Sequence, residues 1–121
     1  MTTEPIERDI ETLIDLQLRK LGWDDNPKSP IRNVWKQQPK KTDEKKNLAG
    51  LKPDYILYNS KTHEPLIVIE AKRPNRDVFT ALIQGKEYAE KLNAPIVIAT
   101  NGILVKAIHL KTGNYLILNG E

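Results

Sequence analysis

The chain has no cysteine and only two histidines, His63 and His109, which lie in different segments. The first absence excludes disulfides, thiol nucleophiles and Cys-ligated zinc. The second leaves no group of imidazoles for a His-rich metal site. Aromatic residues make up 6% of the 121 residues, and Trp23 and Trp35 are the only tryptophans. Single aromatics in loops suit packing better than base stacking, which needs a platform of rings. No apolar run approaches the roughly 20 residues that span a bilayer. The opening residues, Met1 to Glu7, have neither a basic n-region nor an apolar h-region, so the cytoplasm is the expected location.

What is present is ordinary for one globular domain: 39% hydrophobic residues, 29% charged, and a net charge of +3,. The distribution of charge says more than the sum. From Lys28 to Lys52 the chain carries Lys28, Arg32, Lys36, Lys40, Lys41, Lys45, Lys46 and Lys52 against Asp43 and Glu44. Two readings of this stretch stand, a solvated loop and a phosphate-tracking surface.

Hydrophobic spacing predicts a helix over residues 5–21, from Ile6, Ile10, Leu13, Ile14, Leu18 and Leu21, with Pro5 in its first turn and Gly22 as its stop. A short strand is expected within 31–37, followed by a polar, mobile segment over 38–50. Strands follow at 54–58 and 66–72, joined closely enough to form an antiparallel hairpin. The run Leu66 to Ile69 predicts cover on both faces at the start of the second of these. A helix over 77–92 has the apolar face Val78, Ala81, Leu82, Gly85, Ala89 and Leu92. The small residues Ala81, Gly85 and Ala89, at i+4 spacing, would let it sit close to a sheet. A buried strand at 95–99 and a hairpin of 103–110 with 115–118 complete the chain. The expected fold is α/β, a mixed β-sheet flanked by helices, in a single domain over residues 1–121. Asn119-Gly120 is a hairpin-turn signal followed only by Glu121, with no strand after it, so a piece of a longer protein is expected,.

Three residues carry the chemistry. Glu70 and Lys72 are two apart on a strand and share a face, with Cα atoms roughly 6–7 Å apart. Asp54 opens the neighbouring strand, where antiparallel pairing brings it beside Glu70. The Ala71 side chain points away into apolar packing, and its backbone carbonyl stays available. Two carboxylates beside an ammonium suit magnesium, which takes oxygen ligands and keeps several waters. Lys72 would then hold an attacking water or stabilise charge on phosphate. The competing reading is a plain Glu70–Lys72 surface pair, worth under about 1 kcal/mol. Against it, Glu70 interrupts an apolar run, where an unpaired carboxylate is costly.

Pro53-Asp54 followed sixteen residues on by Glu70-Ala71-Lys72 resembles the PD-(D/E)XK nuclease motif. The predicted element order is similar to that superfamily's restriction-endonuclease-like core, helix, three antiparallel strands, helix and strand, here with a C-terminal hairpin. More narrowly, Leu51 to Tyr58, Pro65 to Lys72 and Ala99-Thr100-Asn101-Gly102 resemble the N-terminal nuclease domain of type I restriction enzyme R subunits. Gln84 to Tyr88 resembles the Gln-x-x-x-Tyr element of those proteins and of RecB-like nucleases. The resemblance implies Asp54 and Glu70 as metal ligands, Lys72 as the catalytic lysine, and Gln84 and Tyr88 as residues that support catalysis or touch DNA. It also implies a first-helix glutamate near the metal, for which Glu7 is preferred over Glu11. Lys52, Arg73, Arg76, Thr100 and Asn101 are expected DNA contacts, with solvation or a turn as the plainer alternative.

The implied function is a magnesium-dependent DNA endonuclease domain of a restriction system, with manganese as a substitute. The implied partners are double-stranded DNA, a second copy for double-strand cleavage, and domains or subunits outside this chain. No Gly-x-x-x-x-Gly-Lys-Ser/Thr phosphate loop or methyltransferase motif is present, so a motor or a methyltransferase would be supplied elsewhere. A repair or DNA-end nuclease of the same fold, and a degenerate DNA-binding or assembly module, remain as alternatives.

Overall fold

The computed structural model of the chain describes residues 7–115. The elements are α1 (Glu7–Lys20), β1 (Val34–Trp35), α2 (Thr42–Leu48), β2 (Tyr55–Tyr58), β3 (Pro65–Ala71), α3 (Val78–Leu92), β4 (Ile96–Thr100) and β5 (Val105–His109). The proposed helix start at Pro5 and the strand residues 116–118 lie outside the described residues. Of that last strand, Tyr115 forms a single antiparallel bridge with Ile108.

The five strands lie in one sheet in chain order. β1, β2 and β3 run antiparallel, β3 and β4 parallel, and β4 and β5 antiparallel. The parallel step needs a crossover, which α3 provides. Strand alternation then divides the core in two. Tyr55, Leu57, Ile69 and Ala71 face Ile10 and Ile14 of α1. Ile56, Tyr58, Val68, Val97 and Ala99 face α3 and Leu48 of α2. The result is helix, mixed sheet, helix. Among the described residues no helix is long and apolar enough to cross a membrane.

Two local expectations are corrected. The segment expected as a mobile loop contains α2. Its inward face is Leu48, 1% exposed, and Glu44, 6% exposed, one turn apart. A single leucine and an acid give too little apolar signal to announce a helix. Glu44 is accommodated because the Tyr58 hydroxyl donates to Oε1 at 2.6 Å and the Lys41 N–H at 3.2 Å. The second correction concerns β3. Its cover is complete at its end, from Val68 to Ala71, and partial at Leu66 and Ile67. The strand therefore carries Glu70 into its most enclosed part.

Small residues on α3 do what their spacing predicted. A Cβ added at Gly85 would stand 2.6 Å from Val97 Cγ1 and 3.3 Å from Glu70 Cγ. Only a glycine lets the helix close over the strand ends at this point.

Candidate active site

Asp54 stands one residue before β2, and Glu70 is the penultimate residue of β3. The pairing of Tyr55 with Ile69 makes these two the next neighbours across the hairpin. Each carboxylate is held by the opposite strand. The Asp54 N–H donates to Glu70 Oε2 at 2.7 Å, and the Ala71 N–H donates to Asp54 Oδ2 at 2.8 Å. Among the described residues no hydrogen-bond donor reaches the second oxygen of either acid. In a strand a residue's N–H and C=O point to the same side, so the Ala71 carbonyl is directed towards Asp54 as well. Its side chain is buried against α1, as expected.

The electrostatics of this pair are unfavourable as they stand. Glu70 is 2% exposed. Burial first, and then the Asp54 charge, push its carboxyl up to about 8, against the opposing pull of the Asp54 N–H and Lys72. Burial also raises Asp54, opposed by the Ala71 N–H, with Glu7 adding to the rise and Lys72 opposing it. Glu11 is raised by burial and then by Asp54. Both first-helix glutamates therefore bear on the site: Glu7 is felt by Asp54 and Glu70, Glu11 by Asp54. Crowded, desolvated carboxylates with spare oxygens are what a divalent cation relieves. Among the described residues no set of three His, Cys, Asp or Glu side chains forms a cage. Two carboxylates and a carbonyl nonetheless fit magnesium, which retains water in its remaining positions.

Lys72 follows directly on β3, anchored by its N–H to the Thr100 carbonyl at 2.9 Å. It forms no ion pair with Glu70 among the described residues, so the plain surface pair is not present. Its side chain instead lines a groove of about 530 Å³ with Glu7, Arg73, Arg76 and Thr80. Arg73 and Arg76 are exposed there. Lys52 is not in this groove but in another, which it lines with Gln37, Lys45 and Lys46.

On α3, Gln84 Nε2 donates to the Tyr88 hydroxyl at 2.7 Å. That bond occupies the phenol's oxygen and leaves its own hydrogen free to be donated. Tyr88 is buried, and burial and then the Glu70 charge oppose its ionisation. The Gln84–Tyr88 element thus backs the acid pair from the helix side.

Thr100 and Asn101, expected as DNA contacts, are 8% and 5% exposed. The Asn101 amide nitrogen donates to the Arg76 carbonyl at 3.0 Å, and its oxygen accepts from Ile103 and Leu104 N–H at 3.0 and 2.8 Å. Thr100 Oγ1 accepts from the Gly102 N–H at 3.1 Å. With their polar atoms engaged, these residues brace the loop that carries Arg73 and Arg76 against the β4–β5 turn.

A network unseen in the sequence closes the other side. The Tyr55 hydroxyl lies 2.8 Å from both the Glu11 carbonyl and Asp15 Oδ1, and Lys36 Nζ donates to Asp15 Oδ2 at 2.6 Å. It ties α1 to β2 beside Asp54. Its hydrogen bonds join residues 21 to 44 apart in sequence, and no local spacing signals it.

A family model for the type I restriction enzyme R protein N terminus matches residues 38–118. The chain belongs to that family. Within this R-protein N-terminal domain, a stretch of 49 residues is 47% identical to the type I restriction enzyme EcoAI endonuclease subunit of Escherichia coli. The match covers 40% of the chain and 6% of that subunit. A solved fragment assigned to an HsdR subunit of a type I restriction enzyme from Vibrio vulnificus YJ016 is similar with a TM-score of 0.69 at 24% identity. It covers 97% of this R-protein domain and 23% of the Vibrio chain. At that identity the likeness speaks for the fold, and the fold is the restriction-endonuclease-like one that the element order implied.

Proposed function

We propose that this R-protein N-terminal domain is a magnesium-dependent DNA endonuclease domain of a restriction system. The observation that carries the reading is the reciprocal clasp of Asp54 and Glu70, two desolvated carboxylates with Lys72, which has no ion-pair partner among the described residues, acting on both. Asp54, Glu70 and the Ala71 carbonyl would hold the cation, with Glu7 acting on it from α1. When bound, magnesium, or manganese in its place, supplies positive charge to a phosphate oxygen and makes water a better nucleophile. The Lys72 ammonium orients the attacking water or stabilises charge developing on phosphorus. Tyr88, held by Gln84, limits the freedom of the Glu70 side, and Arg73 and Arg76 meet phosphates at the groove rim.

The partners that follow are double-stranded DNA, a second copy for cutting both strands, and domains or subunits that choose and move the DNA. The test combines calorimetry with a cleavage assay. Asp54→Ala and Glu70→Ala should lose magnesium binding and cleavage together. Lys72→Ala should bind magnesium and still cut at least ~10²-fold more slowly. Magnesium binding that survives in the Asp54→Ala/Glu70→Ala double variant would refute the site.

A further inference from the structure

The basic stretch from Lys28 to Lys52 is resolved by the fold into two kinds of residue. Several of its cations are already engaged. Arg32 lies 3.8 Å over the Trp35 ring and donates to the Val34 carbonyl. Lys36 is paired with Asp15, Lys41 with Glu64, and Lys40 sits 3.0 Å from His63 Nδ1. Lys45, Lys46 and Lys52 are different. All three are exposed, none has an ion-pair partner among the described residues, and they converge on one groove of about 460 Å³. Lysines near a helix end are explained by the helix dipole. That account does not reach Lys52, which comes from the loop before β2.

The groove is joined to the active site. Its wall includes Gln37, which also lines the cleft containing Asp54, Arg8 and Lys36. Gln37 holds a left-handed backbone, φ 63°, which is costly for a residue with a Cβ,. Its N–H donates to the Pro53 carbonyl at 2.9 Å, fixing it directly beside Asp54. Positive side chains therefore line two grooves near the acid pair: Lys72, Arg73 and Arg76 in the one that continues from β3, and Lys45, Lys46 and Lys52 in the one that shares Gln37 with the Asp54 cleft. A polyanion crossing the carboxylates needs compensating charge on each side of them, because the carboxylates themselves repel it.

We propose that the groove formed by Lys45, Lys46 and Lys52, entered past Gln37, binds the phosphate backbone of duplex DNA away from the cut. The inference rests on the nuclease reading for its ligand, but its test does not depend on cleavage. The whole chain is titrated against a fluorescent DNA duplex in EDTA over a range of salt, and affinity is read by anisotropy. The Lys45→Ala/Lys46→Ala/Lys52→Ala variant should bind about 10-fold or more weakly near 0.1 M salt, alike for unrelated duplex sequences. The slope of log K against log salt should fall by about 2–3. Replacing the same three by arginine should restore both. Lys61→Ala/Lys111→Ala, which removes exposed lysines elsewhere, should change neither.

Unchanged affinity and slope in the folded triple-alanine variant would overturn the proposal, as would a wild type that does not bind duplex at low salt. Equal binding of poly-glutamate and DNA at matched salt would also overturn it, by making the groove a generic anion surface. Asp54→Ala separates the two claims. Loss of cleavage there with an indifferent groove leaves the nuclease standing alone, and lysine-dependent binding without any cleavage leaves the groove standing alone.

Discussion

Among the described residues two glutamates are buried at nearly the same depth, and they illustrate opposite uses of a buried acid. Glu44, on α2, accepts from a tyrosine hydroxyl and a backbone N–H. Its neighbours are donors, and its effect is to hold a short helix to the sheet. Glu70, on β3, accepts one backbone N–H and otherwise faces Asp54 and Glu7, with Lys72 the cation that opposes them. Buried polar groups are normally satisfied by the protein itself. Glu44 is surrounded by donors, whereas Glu70 is crowded by other acids, and under the proposed function a cation would relieve that crowding,.

Three measurements sharpen or break this contrast. The largest effect concerns pH. Glu70 ionises at its ordinary value of 4.5 when unfolded and at about 8 when folded. Between those values the folded chain holds a proton that the unfolded chain has released, so the stability of the metal-free domain falls as pH rises. The stabilisation is complete below about 4.5 and lost above about 8, at up to ~1 kcal/mol per pH unit. Glu70→Gln keeps an acceptor oxygen for the Asp54 N–H and should flatten urea-derived stability across that window, leaving the smaller slope from Asp54 and Glu11. A wild type as stable at pH 8.5 as at pH 5 would contradict the assignment of Glu70 as the strained acid.

The second measurement is on Glu44. Glu44→Ala takes away the acceptor of the Tyr58 hydroxyl, which keeps only the Lys40 N–H as a donor to it, and should cost about 2 kcal/mol in urea unfolding,. Magnesium affinity by calorimetry should stay at the wild-type value. A large loss of magnesium affinity would mean that the two acids are not separate in role. The smallest effect is expected from Gly85→Ala. The new methyl meets Val97 and the Glu70 stem, at about 1 kcal/mol of overpacking,. Since the pressure falls on Glu70, cleavage should drop more than stability alone explains; an unchanged rate at a lowered melting temperature would count against the close fit of α3.

Much of this was legible in the sequence where signals are local. The apolar face of α3 and its three small residues gave both the helix and its close approach. The hairpin spacing gave the neighbourhood of Asp54 and Glu70, and the Gln84–Tyr88 interval placed those two on one side of α3, where the structure joins them by a hydrogen bond. What was not legible depends on distant partners. α2 was missed because half of its buried face is an acid, whose satisfaction comes from Tyr58, fourteen residues on. Asn101 and Thr100 looked like an exposed polar turn, because nothing local says that the Pro74 to Arg76 loop would fold back to meet them. The same holds for the pairing of some lysines and not others, which is decided by acids from α1 and from the β2–β3 turn.

The reciprocal clasp has a consequence for the life of the protein as well as for its chemistry. Asp54 and Glu70 meet only when β2 and β3 are aligned in one register, since each is held by a backbone group of the other strand. A slip by one residue turns alternate side chains to the opposite face and separates the two acids. A copy whose hairpin is out of register therefore lacks the acid pair on which the proposed cleavage depends. Under the proposed nuclease function, the sheet is its own safety catch.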